Sequence, residues 1–256
     1  MLELIDTHCH IHFPDYPLNV ETVINDASKA GVTGLMCVGC TLEDSRLAIR
    51  LAEQEPKVWA SIGLHPHEAK HYVNDQSKLQ QFRDLATKPK VVAIGEAGLD
   101  YFYEHSSKDD QVKLLRYQLD LAAEYNLPMI FHIRDAFDDF WPIFDKYQVR
   151  GVIHSFSATQ KELDQVLERG LMVGLNGIMT FTKNSAQLSA AKSIPLDHLL
   201  LETDAPFLTP VPFRGTICQP KHVRVVAEFL AQLRHEPLET LAAATTANAA
   251  KLFNLD

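Results

Sequence analysis

Eight short apolar runs recur along the 256-residue chain, at 3–8, 34–39, 58–64, 91–96, 128–133, 151–156, 171–176 and 199–204. Each is continuous rather than alternating, the pattern of strands covered on both faces. Helix-like stretches separate them. The clearest spans about 109–125, where Val112, Leu115, Leu119 and Ala122 repeat at spacings of three and four. Ser107, with Asp110 three residues on, resembles a capping box at its start. The stretches VETVINDASKAG and KELDQVLERG stop at Gly31 and Gly170, and PKHVRVVAEFLAQLR is strongly amphipathic. Eight strands alternating with helices predict a (β/α)8 TIM barrel, one domain over 1–256. The runner-up is an open doubly wound sheet. Its nucleotide-binding form is excluded, because neither G-x-G-x-x-G nor G-x-x-x-x-G-K-[ST] follows any strand.

Polar residues fall where the apolar runs stop. His8 and His10 close the first run, His65 the third, Glu96 the fourth, His132 the fifth, His154 the sixth and Asp204 the eighth. In a barrel these ends face one mouth. A lone histidine at a strand end is usually just a hydrogen-bonded polar group. Five or more strands each delivering a His, Glu or Asp would crowd the mouth with costly polar groups unless something paired them. Imidazoles with carboxylates are ligands for divalent Zn, Mn or related ions, and six side chains exceed one tetrahedral site, which leaves room for two ions. A metal acidifies its water, and a carboxylate beside that water can take the proton. Metal-assisted hydrolysis is the expected chemistry. His12 shares the alternation of His8 and His10, but the strand should end near Cys9, leaving His12 in a loop. His71, His105, His198, His222 and His235 read as surface or helix positions.

Charge and composition narrow the picture. The formal net charge is −9, so no broad basic groove for duplex DNA is advertised. The four cysteines show no disulfide spacing, and Cys37 and Cys40 read as a strand running into its loop rather than a redox or zinc pair. Glu3 and Asp6 interrupt any leader-like apolar stretch, and no run reaches the roughly 18 residues of a membrane span. A cytoplasmic protein with no membrane contact and no obligate protein partner is expected.

The segments IDTHCH, GLHPH, AIGEAGLDY, IFHIRDA, GVIHSFS, GIMTF, LLLETDAPFLTPVPFRG and NAAKLF follow one another from residue 5 to about 254. In this order they resemble the motifs of the TatD-like metal-dependent deoxyribonucleases, of the amidohydrolase superfamily. The resemblance implies a (β/α)8 barrel, two divalent ions (Mg2+, Mn2+ or Zn2+) and cleavage of single-stranded DNA, often from the 3′ end. It implies that His8 and His10 bind one metal with Glu96 and Asp204, and that Glu96 bridges to a second held by His132 and His154. Asp204 would orient or deprotonate water, His65 would touch the phosphate or activate water beside it, and Arg134 and Arg214 would reach phosphate. The catalytic set is then Asp204, Glu96 and His65. One departure stands out: after FRG many relatives carry a Lys and then Asn-Glu-Pro or Asn-Gln-Pro, whereas this chain has Thr216, Ile217 and Cys218 before Gln219-Pro220. The competing reading is a small-molecule hydrolase (phosphoesterase, lactonase or amidase) on the same scaffold. Tyr101, Phe102 and Tyr103 carry two readings, stacking on bases or packing beneath their loop.

Overall fold

Strand and helix alternate along the whole chain. The computed structural model describes residues 2–103 and 105–255. The strands are β1 (Leu4–Cys9), β2 (Val32–Val38), β3 (Val58–Ile62), β4 (Val91–Asp100), β5 (Met129–Arg134), β6 (Gly151–Ile153), β7 (Met172–Leu175) and β8 (Leu199–Leu201). Among the described residues ten α-helices are interleaved: α1 (Val20–Lys29), α2 (Leu42–Gln54), α3 (Gln76–Arg83), α4 (Lys108–Tyr125), α5 (Phe137–Phe144), α6 (Gln160–Glu168), α7 (Ile178–Phe181), α8 (Ser185–Ser193), α9 (Val223–Arg234) and α10 (Leu238–Phe253). The eight strands follow one another in a single sheet, in chain order. The last meets the first. Asp204 N–H donates to the His8 carbonyl (2.8 Å) and His10 N–H to the Ala205 carbonyl (2.6 Å), with a parallel bridge between Cys9 and Ala205. Chain-order parallel strands joined first to last, with helices between, make the (β/α)8 barrel.

By their contacts the residues form two compact units, Met1–Cys37 with Ser155–Asp256, and Val38–His154. In the first, β8 is fully apolar and Leu199, Leu200 and Leu201 are buried. Burial of each such side chain contributes about 2 kcal/mol. Asp6, in the middle of β1, is fully buried and ties that strand to the end of β8. It accepts from Thr203 N–H (2.9 Å) and from the Thr203 hydroxyl (2.6 Å).

In the second unit, α4 turns two glutamines inward. Gln118 exchanges two hydrogen bonds with the backbone of Leu64 (both 2.9 Å), and Gln111 does the same for Asp100 (2.8 and 3.0 Å). Each side chain satisfies backbone groups where a strand has stopped, so the helix fixes the ends of β3 and β4. Ser107 caps α4 as expected, accepting from Asp110 N–H at 3.2 Å. Gly98 of β4 lies so close to β5 that any Cβ there would strike the His132 carbonyl.

The main departure from the sequence pattern is β4. It continues to Asp100, four residues past the end of the apolar run at 91–96. Glu96 therefore lies inside the strand and Asp100 at its end. His222, expected at a surface or helix position, closes a short 3-10 turn (Pro220–His222) and is buried, stacked on Phe213 with ring centroids 5.1 Å apart. No helix among the described residues is long and apolar enough to cross a membrane.

Candidate metal centre and active site

Two groups of side chains come from the strands and the residues just beyond them. The first belongs to β1 and the turn after β8. His8 and His10 alternate along β1 and the residue following it, so both rings project from one face. Both are buried, and their Nε2 atoms lie 3.1 Å apart. Asp204 Oδ1 lies 3.7 Å from His8 Nε2 and 3.4 Å from His10 Nε2. Asp204 itself sits at φ 61°, a left-handed conformation costly for a residue with a side chain and common at functional sites. Two imidazole nitrogens bound to one tetrahedral cation at about 2.0–2.1 Å would stand roughly 3.3 Å apart. The observed spacing of nitrogens and carboxylate oxygen fits such an ion.

The second group belongs to β3, β4, β5 and β6. Glu96 Oε1 is its hub, 2.6 Å from His132 Nδ1, 3.5 Å from His65 Nε2 and 3.5 Å from His154 Nε2. His65, Glu96 and His132 each offer a ligand atom within 4.8 Å of the others. The Cys40 thiol faces the second carboxylate oxygen of Glu96 at 3.7 Å. Burial opposes the charge on Glu96, but His154 and His65 beside it, with hydrogen bonds from His132 and His65, hold its carboxyl well below the usual range. Burial also opposes charge on His132, yet hydrogen bonds to Asp100 and Glu96 outweigh it and lift the imidazole to about 9. Burial alone dominates at His65 and lowers it to about 4 despite Glu96. His65 Nδ1 accepts the backbone N–H of His67 (3.2 Å). Its proton therefore sits on Nε2, the atom turned toward Glu96. Imidazoles gathered around one carboxylate are ligand types a divalent ion takes, provided His132 gives up its proton on binding.

Asp100 was missed from sequence, although Glu96, Gly98 and Asp100 alternate along one strand. Its carboxylate is 1% exposed. Oδ2 meets His132 Nε2 (3.0 Å) and His67 Nε2 (2.9 Å), while Oδ1 accepts the backbone N–H groups of Phe102 and Tyr103 (3.0 Å each). A carboxylate on the far nitrogen of a metal-binding imidazole fixes its tautomer and orientation.

The two arginines lie outside these groups. Arg134, at the end of β5, packs its guanidinium 4.0 Å over the Phe102 ring and 4.8 Å over Tyr103. Arg214, in the loop after β8, lies 4.0 Å over Phe181 and donates to the Thr209 carbonyl at 2.9 Å. The divergent segment beside it folds on itself, since Thr209 donates to the Thr216 carbonyl (2.7 Å), and Cys218 is buried. His12 lies beyond the end of β1, buried, its ring 6.1 Å from His10. None of the four cysteines is in a disulfide, so Cys37 and Cys40 are not joined, and the Cys9 thiol donates to the Met36 carbonyl (3.4 Å).

Residues 5–254 match the family model described as TatD related DNase. The chain is 36% identical over 256 residues to YabD of Bacillus subtilis, an uncharacterized metal-dependent hydrolase, covering 99% of this chain and all of that protein. It is 35% identical over 243 residues to the 3′-5′ ssDNA/RNA exonuclease TatD of Citrobacter rodentium, covering 92% of each. Among solved structures it is similar to YjjV, a TatD homologue of Escherichia coli K12. The TM-score is 0.92 and the identity 32%, over 99% of this chain and 98% of that one.

Proposed function

Since this chain belongs to the TatD related DNase family of metal-dependent hydrolases, we propose that it is a deoxyribonuclease that removes nucleotides from single-stranded DNA ends, working from the 3′ end. The observation that carries the reading is the convergence of His8, His10 and Asp204, with nitrogens 3.1 Å apart and a carboxylate oxygen 3.4–3.7 Å from them. One divalent ion, Mg2+, Mn2+ or Zn2+, is assigned to these three residues and a second to Glu96, His132 and His154. The exonuclease from Citrobacter supports the choice of substrate, as do two arginines whose forks suit phosphate oxygens.

Bound divalent ions supply Lewis-acid polarisation of a phosphoryl oxygen and acidify water. The chain's own residues do the rest. Asp204, 16% exposed, orients attacking water and takes its proton. His65, neutral and protonated on Nε2, donates to a non-bridging phosphate oxygen. Arg134 and Arg214 hold phosphate on the strand being shortened. Glu96, anionic and ringed by imidazoles, keeps His132 and His154 turned inward. Free thiols on all four cysteines support a cytoplasmic setting.

The test is digestion of an end-labelled single-stranded DNA with Mg2+ or Mn2+, with chelator, and with the Asp204→Asn protein. Label loss that needs both metal and Asp204, with at least a hundredfold drop in the variant, establishes the nuclease. If a folded, metal-loaded protein leaves DNA intact, the site belongs to a small-molecule ester or amide instead. The acidic balance and the Thr216-Ile217-Cys218 segment would favour that outcome.

A further inference from the structure

Beyond the end of β4 the chain presents three aromatic residues in a row, Tyr101, Phe102 and Tyr103. Phe102 is 55% exposed and Tyr103 43% exposed. Apolar rings left in water at the edge of a polar site call for an explanation. These rings are also held in place. Both backbone N–H groups at 102 and 103 are bound by Asp100 Oδ1, and Tyr101 N–H donates to the Arg134 carbonyl (2.9 Å). The Tyr101 hydroxyl is spent on Asp139 Oδ2 (3.0 Å).

Two cations are interleaved with the rings. Arg134 packs against Phe102 and Tyr103, and Lys108 Nζ sits 4.0 Å over Tyr101. Among the described residues no carboxylate pairs with either cation. Stacking fixes the plane of the Arg134 guanidinium while leaving its donors for an anion. The rings also continue toward the metal-binding histidines. Tyr103 meets His67 (5.7 Å between centroids), His67 meets His65 (4.3 Å) and His65 meets His132 (4.6 Å). Asp100 is the common anchor, binding His132 and His67 through one oxygen and the aromatic turn through the other.

We propose that Phe102, Tyr103 and Arg134 form a nucleotide subsite, in which Phe102 and Tyr103 stack on a base near the 3′ end of a single strand while Arg134 grips its phosphate. This rests on the nuclease reading above and adds how that substrate is held. Exposed rings beside cations that no described carboxylate pairs are what sequence-tolerant single-strand binding requires, because every base offers a π-face and every link a phosphate. A buried-core role is excluded by exposure. Two cations beside the rings, paired by no described carboxylate, suit a partner that carries phosphate along with its bases.

The experiment uses a DNA decamer with 2-aminopurine at its last two 3′ positions and phosphorothioate links there to resist hydrolysis. A matched decamer is abasic at the same positions. Both are titrated with the Mn2+-loaded wild-type protein, with Phe102→Ala and with Phe102→Trp. The subsite predicts quenched 2-aminopurine fluorescence and binding about tenfold tighter than the abasic strand, a size set by one stacked base. Phe102→Ala should bring the two strands to equal affinity and Phe102→Trp should restore the difference. Equal affinity of both strands for the wild type, no binding of either, or a difference that survives Phe102→Ala overturns the subsite. Hydrolysis of an unmodified decamer is measured alongside. Base-dependent binding without hydrolysis would defeat the nuclease reading and keep the subsite. Hydrolysis without base dependence would do the reverse.

Discussion

Asp100 and His132 are joined by a 3.0 Å hydrogen bond through the imidazole nitrogen that faces away from Glu96. One carboxylate orients the ring and another receives it. Asp100→Asn keeps an oxygen for the backbone N–H groups of Phe102 and Tyr103 but removes the charge behind His132. Loss of such a partner weakens metal binding or activity by about 10–100-fold. Metal affinity by competition with a chromophoric chelator, with circular dichroism as the fold control, checks this. An unchanged affinity would remove Asp100 from the site.

His132 and His154 converge on Glu96. Replacing both with alanine should leave about one of two ions per chain, as three-ligand sites require their histidines. Metal counting by mass spectrometry decides it, and undiminished content would end the two-ion assignment.

Asp6 accepts both the backbone N–H and the hydroxyl of Thr203, the residue before Asp204, and receives His8 N–H at 3.3 Å. Asp6→Ala strands these buried donors and should cost about 2–4 kcal/mol of stability. It should also lower activity, since the backbones of His8 and Asp204 lose their common brace. A urea midpoint equal to wild type would show that the brace contributes nothing.

Burial, with Lys221 nearby, holds the His222 imidazole down at about 4, against 6.5 in the unfolded chain. Its Nδ1 accepts Gln219 N–H at 3.1 Å, which needs the neutral ring. Between these values the unfolded state binds more protons than the folded one. Stability is therefore full above about pH 6.5 and falls as pH drops toward 4, by on the order of 2–3 kcal/mol. His222→Gln keeps an acceptor without a proton site and should flatten that fall. Urea midpoints at pH 7.5 and 4.5 for both proteins measure it, and parallel losses would refute the assignment.

Much of this was readable from local pattern. Runs such as LLLETD and VVAIGE mark strands because burial on both faces leaves no room for polar alternation. Their polar ends name Glu96 and Asp204 directly. What escaped depends on partners far along the chain. Asp100 lies past the apolar run, which Gly95 and Gly98 dilute. The strand persists there because Gly98 pairs with His132 and Asp100 with Arg134. Gln111 and Gln118 break the rule that polar residues of a helix face water, for they serve backbone groups of other strand ends. His222 is buried through Phe213, a loop residue whose position no local pattern predicts.

The bond from Thr203 to Asp6 spans 197 residues of chain. At ordinary rates of synthesis, roughly 5–20 residues per second, the first histidines precede Asp204 out of the ribosome by about 10–40 s. During that interval they form an incomplete chelate on a chain whose first strand has no last strand to pair with. Closure of so long a loop must meet its entropy before any contact repays it. An ion that needs His8, His10 and Asp204 together would therefore find all three only after the eighth strand has been made and has met the first.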